Sequence, residues 1–139
     1  MRFIIIRNVS RNWWKTSFLY RIYHFAVSEN EIRQIALASE QLLQQIQMYQ
    51  QQQVLLKTRM NEIDGALEEL AKVPTDGIAY RVVGGVIIRM SPTKIKEDLT
   101  TEKEDLDIKL KMVESRIERL RQQLTEMDAR LKELLQKKQ

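Results

Sequence analysis

The sequence predicts a mostly α fold: two long helices packed antiparallel as a coiled coil and joined by a short β-hairpin through which copies associate. Three observations carry this. Apolar residues recur in alternating steps of three and four over residues 32–70, and again over 99–134. Between these arms, Ile78 to Met90 reads IAYRVVGGVIIRM, two apolar strands about a Gly84-Gly85 turn. Pro74 and Pro92 bracket that stretch and separate it from both helices.

Residues 1–27 form a leader unlike the rest of the chain. It holds both tryptophans, all three phenylalanines and the only histidine, His24. It carries five basic residues (Arg2, Arg7, Arg11, Lys15, Arg21) and no acidic one. Its apolar residues keep no helical or strand period. Phe3-Ile4-Ile5-Ile6 is too short for a signal-peptide core. The Arg-rich composition admits a mitochondrial-type presequence, a membrane-surface anchor or a structural addition. The preferred expectation is a mis-assigned start or a disordered extension, with Val27 the literal reading of an alternative initiation codon. Ser28-Glu29-Asn30-Glu31 has the form of a capping box, Ser28 at N-cap and Glu31 at N3, flanked by Val27 and Ile32 at the staple positions. The folded body is therefore expected over residues 28–139.

The first arm has its seam at Ile32, Ile35, Ser39, Leu42, Ile46, Tyr49, Gln53, Leu56, Met60, Ile63, Leu67 and Leu70. Such a repeat keeps one narrow stripe against a partner helix. Ser39 and Gln53 interrupt it and help fix register. A run of glutamines between Gln41 and Gln52 lies off the seam and reads as a solvated face. Val73-Pro74 ends the helix, and Asp76-Gly77 turns the chain into the hairpin.

In the hairpin, a two-residue turn places Val83 opposite Val86, Val82 opposite Ile87, Arg81 opposite Ile88 and Tyr80 opposite Arg89. Alternation then puts Tyr80, Val82, Ile87 and Arg89 on one face and Arg81, Val83, Val86 and Ile88 on the other. Neither face is purely polar, and an isolated two-stranded hairpin is marginal in water with both edges open. Two arrangements answer this: pairing with other hairpins, which the pattern favours, or folding back on the base of its own helices. Tyr80, Val82, Val83, Val86, Ile87 and Ile88 are the candidate oligomerisation residues.

Ser91-Pro92 restarts a helix, serine at N-cap and proline at N1. The second seam runs Leu99, Lys103, Leu106, Leu110, Val113, Ile117, Leu120, Leu124, Met127, Leu131 and Leu134. Ile95 is one residue out of phase, as a shift in packing near the hairpin requires. Charges of both signs on the outer faces read as solvated and ion-paired. Antiparallel pairing brings Leu70 to the Leu99 region, and Ile32 and Ile35 to Leu131, Leu134 and Leu135. At that far end the candidate docking residues for apolar clients are Ile32, Ile35, Leu37, Leu42, Leu43, Met127, Leu131, Leu134 and Leu135. They either present an apolar patch or merely finish the coiled coil.

Composition excludes several functions. The net charge of +4 resides in the leader: setting its five basic residues aside from 23 leaves 18 against 19 acidic ones. The body thus offers no uniform basic stripe for phosphates, and no nucleic-acid partner is expected. There is no cysteine and the body has no histidine, so neither a catalytic constellation nor a metal site is expected, nor a cofactor. Gly84-Gly85 lacks the helix and lysine of a P-loop. No apolar run approaches a membrane span, and no membrane partner is expected.

Helix, hairpin, helix with matched heptad arms resembles prefoldin, the co-chaperone, and its archaeal β-type subunits in particular. The resemblance rests on Leu67-Glu68-Glu69-Leu70, then Val73-Pro74, then Ala79-Tyr80-Arg81-Val82-Val83-Gly84-Gly85-Val86-Ile87-Ile88. The α-type subunits carry two hairpins, and only one fits between Pro74 and Pro92. The likeness covers residues 28–139. It implies a cytoplasmic hexamer of two α-type and four β-type subunits, its hairpins joined in a β-barrel. It further implies ATP-independent capture of unfolded proteins at the coiled-coil tips and delivery to a group II chaperonin. The alternative is a structural coiled-coil adaptor for one folded partner. Neither is an enzyme.

Overall fold

The computed structural model consists of α1 (Arg2–Ala71), β1 (Ala79–Val83), β2 (Val86–Met90) and α2 (Pro92–Gln136). It describes the backbone of residues 2–137 and the side chains of residues 17–137. The leader's Phe3, Trp13 and Trp14 side chains, with Arg2, Arg7, Arg11 and Lys15, lie outside the described residues. The chain divides into two units. Gln44–Gln122 form a hairpin unit, and Met1–Leu43 with Gln123–Gln139 form a terminal unit.

Helix α1 passes through Ser28 without a break, so the anticipated capping box does not start a helix. The reason is local. No glycine precedes Gly65 and no proline precedes Pro74, so the backbone donors of residues 28–31 meet carbonyls of the preceding turn instead of the Ser28 side chain. Gly65 has open space around its Cα and is simply carried along. The helix closes at its C-terminus by tightening: the Lys72 and Val73 amides donate to the Glu69 and Leu70 carbonyls, each at 3.1 Å. Pro74 then prevents continuation. The Gly77 amide donates to the Pro74 carbonyl at 2.8 Å, forming the turn into the hairpin. A Cβ at position 77 would stand 2.8 Å from Val73 Cγ1 and 2.9 Å from the Pro74 oxygen, so this turn accepts only glycine without moving.

The hairpin has the register that its turn demands. Val83 pairs with Val86, Val82 with Ile87, Arg81 with Ile88 and Tyr80 with Arg89. Gly84 and Gly85 both have positive φ, 55° and 81°, the pairing of a primed two-residue turn. Helix α2 begins as expected. The Lys94 amide donates to Ser91 Oγ at 3.2 Å, and Pro92 is buried at the first helical position.

Every residue assigned to the two seams is buried or half-buried. In the hairpin unit the helices run antiparallel, with Gln53 meeting Glu114 and Asp64 meeting Lys103. In the terminal unit they do so again, with Glu31 meeting Arg130 and Ser39 meeting Met127. The tightest core lies where the helices meet the hairpin. Ile63 is 1% exposed and packs with Ile95 and Leu99; Leu67, Leu70 and Leu106 join from the helices and Ala79 and Met90 from the strands. Ile95 belongs here because two successive four-residue steps, 95 to 99 to 103, turn the apolar stripe away from the strict heptad line and toward the strands.

Candidate functional site

The hairpin is anchored at its base and open beyond it. Ala79 and Met90 pack on the helix core, while Tyr80, Val82, Val83, Val86, Ile87 and Ile88 are all exposed. Val82 and Ile87, opposite each other on one face, are each 68% exposed. All six residues assigned to oligomerisation are therefore brought together, on two apolar faces of a sheet that has only two strands. Apolar side chains so disposed lie beside two unpaired strand edges, the features that mark a candidate interaction surface.

An ion network fixes how the hairpin is held. Arg81 projects from β1 and donates to Glu102 Oε2 at 3.0 Å, with Asp98 at 3.6 Å. Arg59 of α1 donates through Nε and Nη2 to Glu102 Oε1 at 2.9 and 2.8 Å. Lys94 pairs with Asp98 at 2.8 Å, and Glu62 with Arg59 at 3.1 Å. Glu102 of α2 thus bridges an arginine from the strand and one from the facing helix, and Asp98 joins Arg81 to Lys94. The hydrogen bond to Glu102, then that to Glu62, raises the Arg59 pKa above its ordinary value; the hydrogen bond to Asp98 does the same for Lys94. The sequence reading placed Arg81 on a hairpin face but gave it no partner. Its signal was the acidic pair Asp98 and Glu102, one turn apart on α2.

The terminal unit contains all nine candidate docking residues. Leu37, Leu43 and Leu135 are exposed, Leu37 at 62%. Ile32, Ile35, Leu42, Met127 and Leu131 are half-buried along the seam, and Leu134 is buried. Of the nine candidates, three leucines thus stand outside a seam that is already packed; the same unit also exposes Phe18, Tyr20, Tyr23 and Phe25. Arg130 donates from Nε and Nη2 to Glu31 Oε1 at 3.1 and 2.9 Å and from Nη1 to Glu133 at 3.0 Å. The hydrogen bond to Glu31, then that to Glu133, raises the Arg130 pKa. Glu133 is held below the usual carboxylate value, chiefly by the hydrogen bond from Arg130 and then by Lys137.

Polar seam residues find partners across the interface. Gln53 Nε2 donates to Glu114 Oε1 at 2.9 Å, Ser39 Oγ lies 3.8 Å from Met127 Sδ, and Lys103 Nζ pairs with Asp64. No buried side-chain polar atom is left unsatisfied among the described residues. A further apolar group was not anticipated. Leu55 and Met112, next to the seam in the hairpin unit, are 70% and 68% exposed, with Val54 and Ile108 beside them. The signal was present in the sequence: Ile108 and Met112 sit four apart, off the heptad line. Among the described residues no cluster of metal-ligating side chains occurs, and no helix is long and apolar enough to cross a membrane.

Comparison with known proteins agrees with this architecture. The family model for prefoldin subunits matches residues 33–138. A prefoldin subunit β of Thermococcus gammatolerans is 31% identical over 99 residues, covering 66% of this chain and 85% of the relative. That of Archaeoglobus fulgidus is 28% identical over 105 residues, covering 76% and 90%. The crystal structure of the prefoldin β subunit from Thermococcus strain KS-1 superposes with a TM-score of 0.69 at 25% identity, over 73% of this chain and 90% of that one.

Proposed function

Since the chain belongs to the prefoldin subunits, and to their β type, we propose that it is an ATP-independent holdase of the cytoplasm. Its family supports a role of chaperone type. The finer reading is that it captures unfolded proteins on the exposed leucines of the terminal unit and hands them to a group II chaperonin. The observation that carries it is Leu37, Leu43 and Leu135 standing outside a seam that is already filled. Such residues add nothing to the pairing of the two helices and suit weak contact with varied apolar segments.

Capture needs several such surfaces at once, because each is small. The hairpin supplies the means. Two apolar faces and two open edges are satisfied by hairpins of other subunits, closing a barrel with two α-type and four β-type chains. Weak contacts on several subunits then add through effective concentration. Both surfaces fall within residues 28–139, the body to which we assign the function.

The test is aggregation of a chemically unfolded protein on dilution, with the full chain alone and with an α-type partner, with and without ATP. Suppression independent of ATP at near-stoichiometric oligomer is expected. Suppression only with the partner identifies the mixed oligomer as the working unit. A confirmed oligomer that suppresses nothing overturns the holdase reading and leaves an adaptor.

A further inference from the structure

In the hairpin unit the two helices enclose a groove of about 380 Å³, lined by Gln52, Leu55, Leu56, Lys109, Met112 and Val113. Leu56 and Val113 are seam residues and form its floor. Leu55 and Met112 form its walls, and neither contributes to the seam. They are left 70% and 68% exposed, so most of their apolar surface stays in contact with water. The volume lies within the ~300–1,000 Å³ of ligand pockets, enough for a few side chains and too small for a folded domain.

The polar surroundings are unequal, and they indicate what fits. On α1 no residue from Gln44 to Leu56 is charged. Gln47, Gln50 and Gln51 line a shallow surface that continues into Val54 and Leu55. A primary amide both donates and accepts, so it matches a peptide backbone whatever side chains that backbone carries. On α2 the adjoining face runs Ile108, Lys111, Met112, Ser115, Arg116 and Arg119. These residues share one helical face. Lys111 is taken by Asp107 at 2.6 Å. Arg116 and Arg119 are exposed and have no ion-pair partner among the described residues.

We propose that this groove is a second docking site of the chain, taking an extended, unfolded polypeptide segment in which apolar residues are flanked by carboxylates. The apolar side chains enter between Leu55 and Met112, the segment's backbone meets the glutamines, and its carboxylates meet Arg116 and Arg119, whose planar guanidinium groups bind carboxylates bidentately. Methionine at the wall lets the groove accept side chains of different shape. The inference deepens the holdase reading and rests on it for the identity of the client. It adds a preference that the leucines of the terminal unit cannot supply, because those leucines do not sense charge.

The test uses the full chain, assembled with an α-type partner if it requires one. The probes are two fluorescent unstructured peptides of leucine and serine, one with interspersed glutamate and one with lysine in its place. Binding is read by anisotropy. The acidic peptide should bind the wild type more tightly. Leu55→Gln with Met112→Gln should weaken it by about tenfold or more. Arg116→Glu with Arg119→Glu should reverse the preference in favour of the lysine peptide. Leu37→Gln with Leu43→Gln should weaken both peptides alike and leave the preference for the acidic one unchanged. All of these positions are exposed, so the variants keep their fold, and circular dichroism checks this. Equal affinity for the two peptides, or indifference to the groove variants, overturns the proposal. So does a fall in native mass in the Leu55/Met112 variant, which would assign the groove to subunit contact. Binding of a short oligonucleotide that depends on the arginines but not on Leu55 and Met112 would assign the cations to nucleic acid and equally overturn it. A wild type that binds the acidic peptide as described yet suppresses no aggregation would overturn the holdase reading alone.

Discussion

Ile63 is the side chain over which the hairpin junction closes, 1% exposed between Ile95 and Leu99. Ile63→Ala should cost about 2–5 kcal/mol, the loss of buried methyl groups plus the cavity left behind. Denaturant unfolding of the assembled protein would measure it, and an unchanged midpoint would show that the junction collapses to fill the space. Ile63 was legible as a seam residue from its spacing alone. That it is the most buried one was not, because the heptad pattern does not record the strand residues Ala79 and Met90 that cover it. The same limit applied to Lys103, Gln53 and Ser39: their places in the seam could be read, their partners Asp64, Glu114 and Met127 could not. Glu133 carries the pH dependence at this scale. Its carboxyl is held below the ordinary glutamate value of about 4.5. The stabilisation is therefore fully present above that value and is lost as pH falls through the depressed one. Glu133→Gln should be less stable than the wild type near neutrality, with the gap in Tm closing on acidification. A gap that is constant with pH would contradict the sign.

Among the elements, the hairpin was the most legible. A Gly-Gly turn fixes register by itself, and the pairing from Val83–Val86 outward to Tyr80–Arg89 follows from counting. Its attachment was not legible, since that depends on Arg81 reaching Asp98 and Glu102 on a helix that begins only after the hairpin ends. Because Arg59 meets the same Glu102, Arg81 positions the strands against both helices at once. Arg81→Gln should leave the helix content intact and weaken assembly, read as an oligomer that dissociates at lower denaturant or at higher protein dilution than the wild type. High salt should do the same to the wild type to a lesser degree, since these pairs are partly exposed. Assembly insensitive to both would show the apolar contacts at Ala79 and Met90 to be sufficient. The start of α1 was misread for the opposite reason. Ser28–Glu31 is a good local cap, but nothing before it breaks a helix, and a cap acts only where the helix ends.

In the chain as a whole, the surfaces proposed for association and for capture lie in different units. The hairpin residues lie in one unit and the exposed Leu37, Leu43 and Leu135 in the other. Matched heptad arms on either side of the hairpin already set the chain ends and the hairpin apart in the sequence. The groove at Leu55 and Met112 was not legible there, because off-seam apolar residues are common in coiled coils and only the surface around them distinguishes this pair. The two proposed surfaces can therefore be separated by experiment. Aggregation of an unfolded protein is followed with the Leu37→Gln, Leu43→Gln, Leu135→Gln variant, its native mass measured in the same sample. The expected result is the wild-type mass with suppression largely lost. Full suppression at the wild-type mass, or loss of suppression only through collapse of the oligomer, would contradict it.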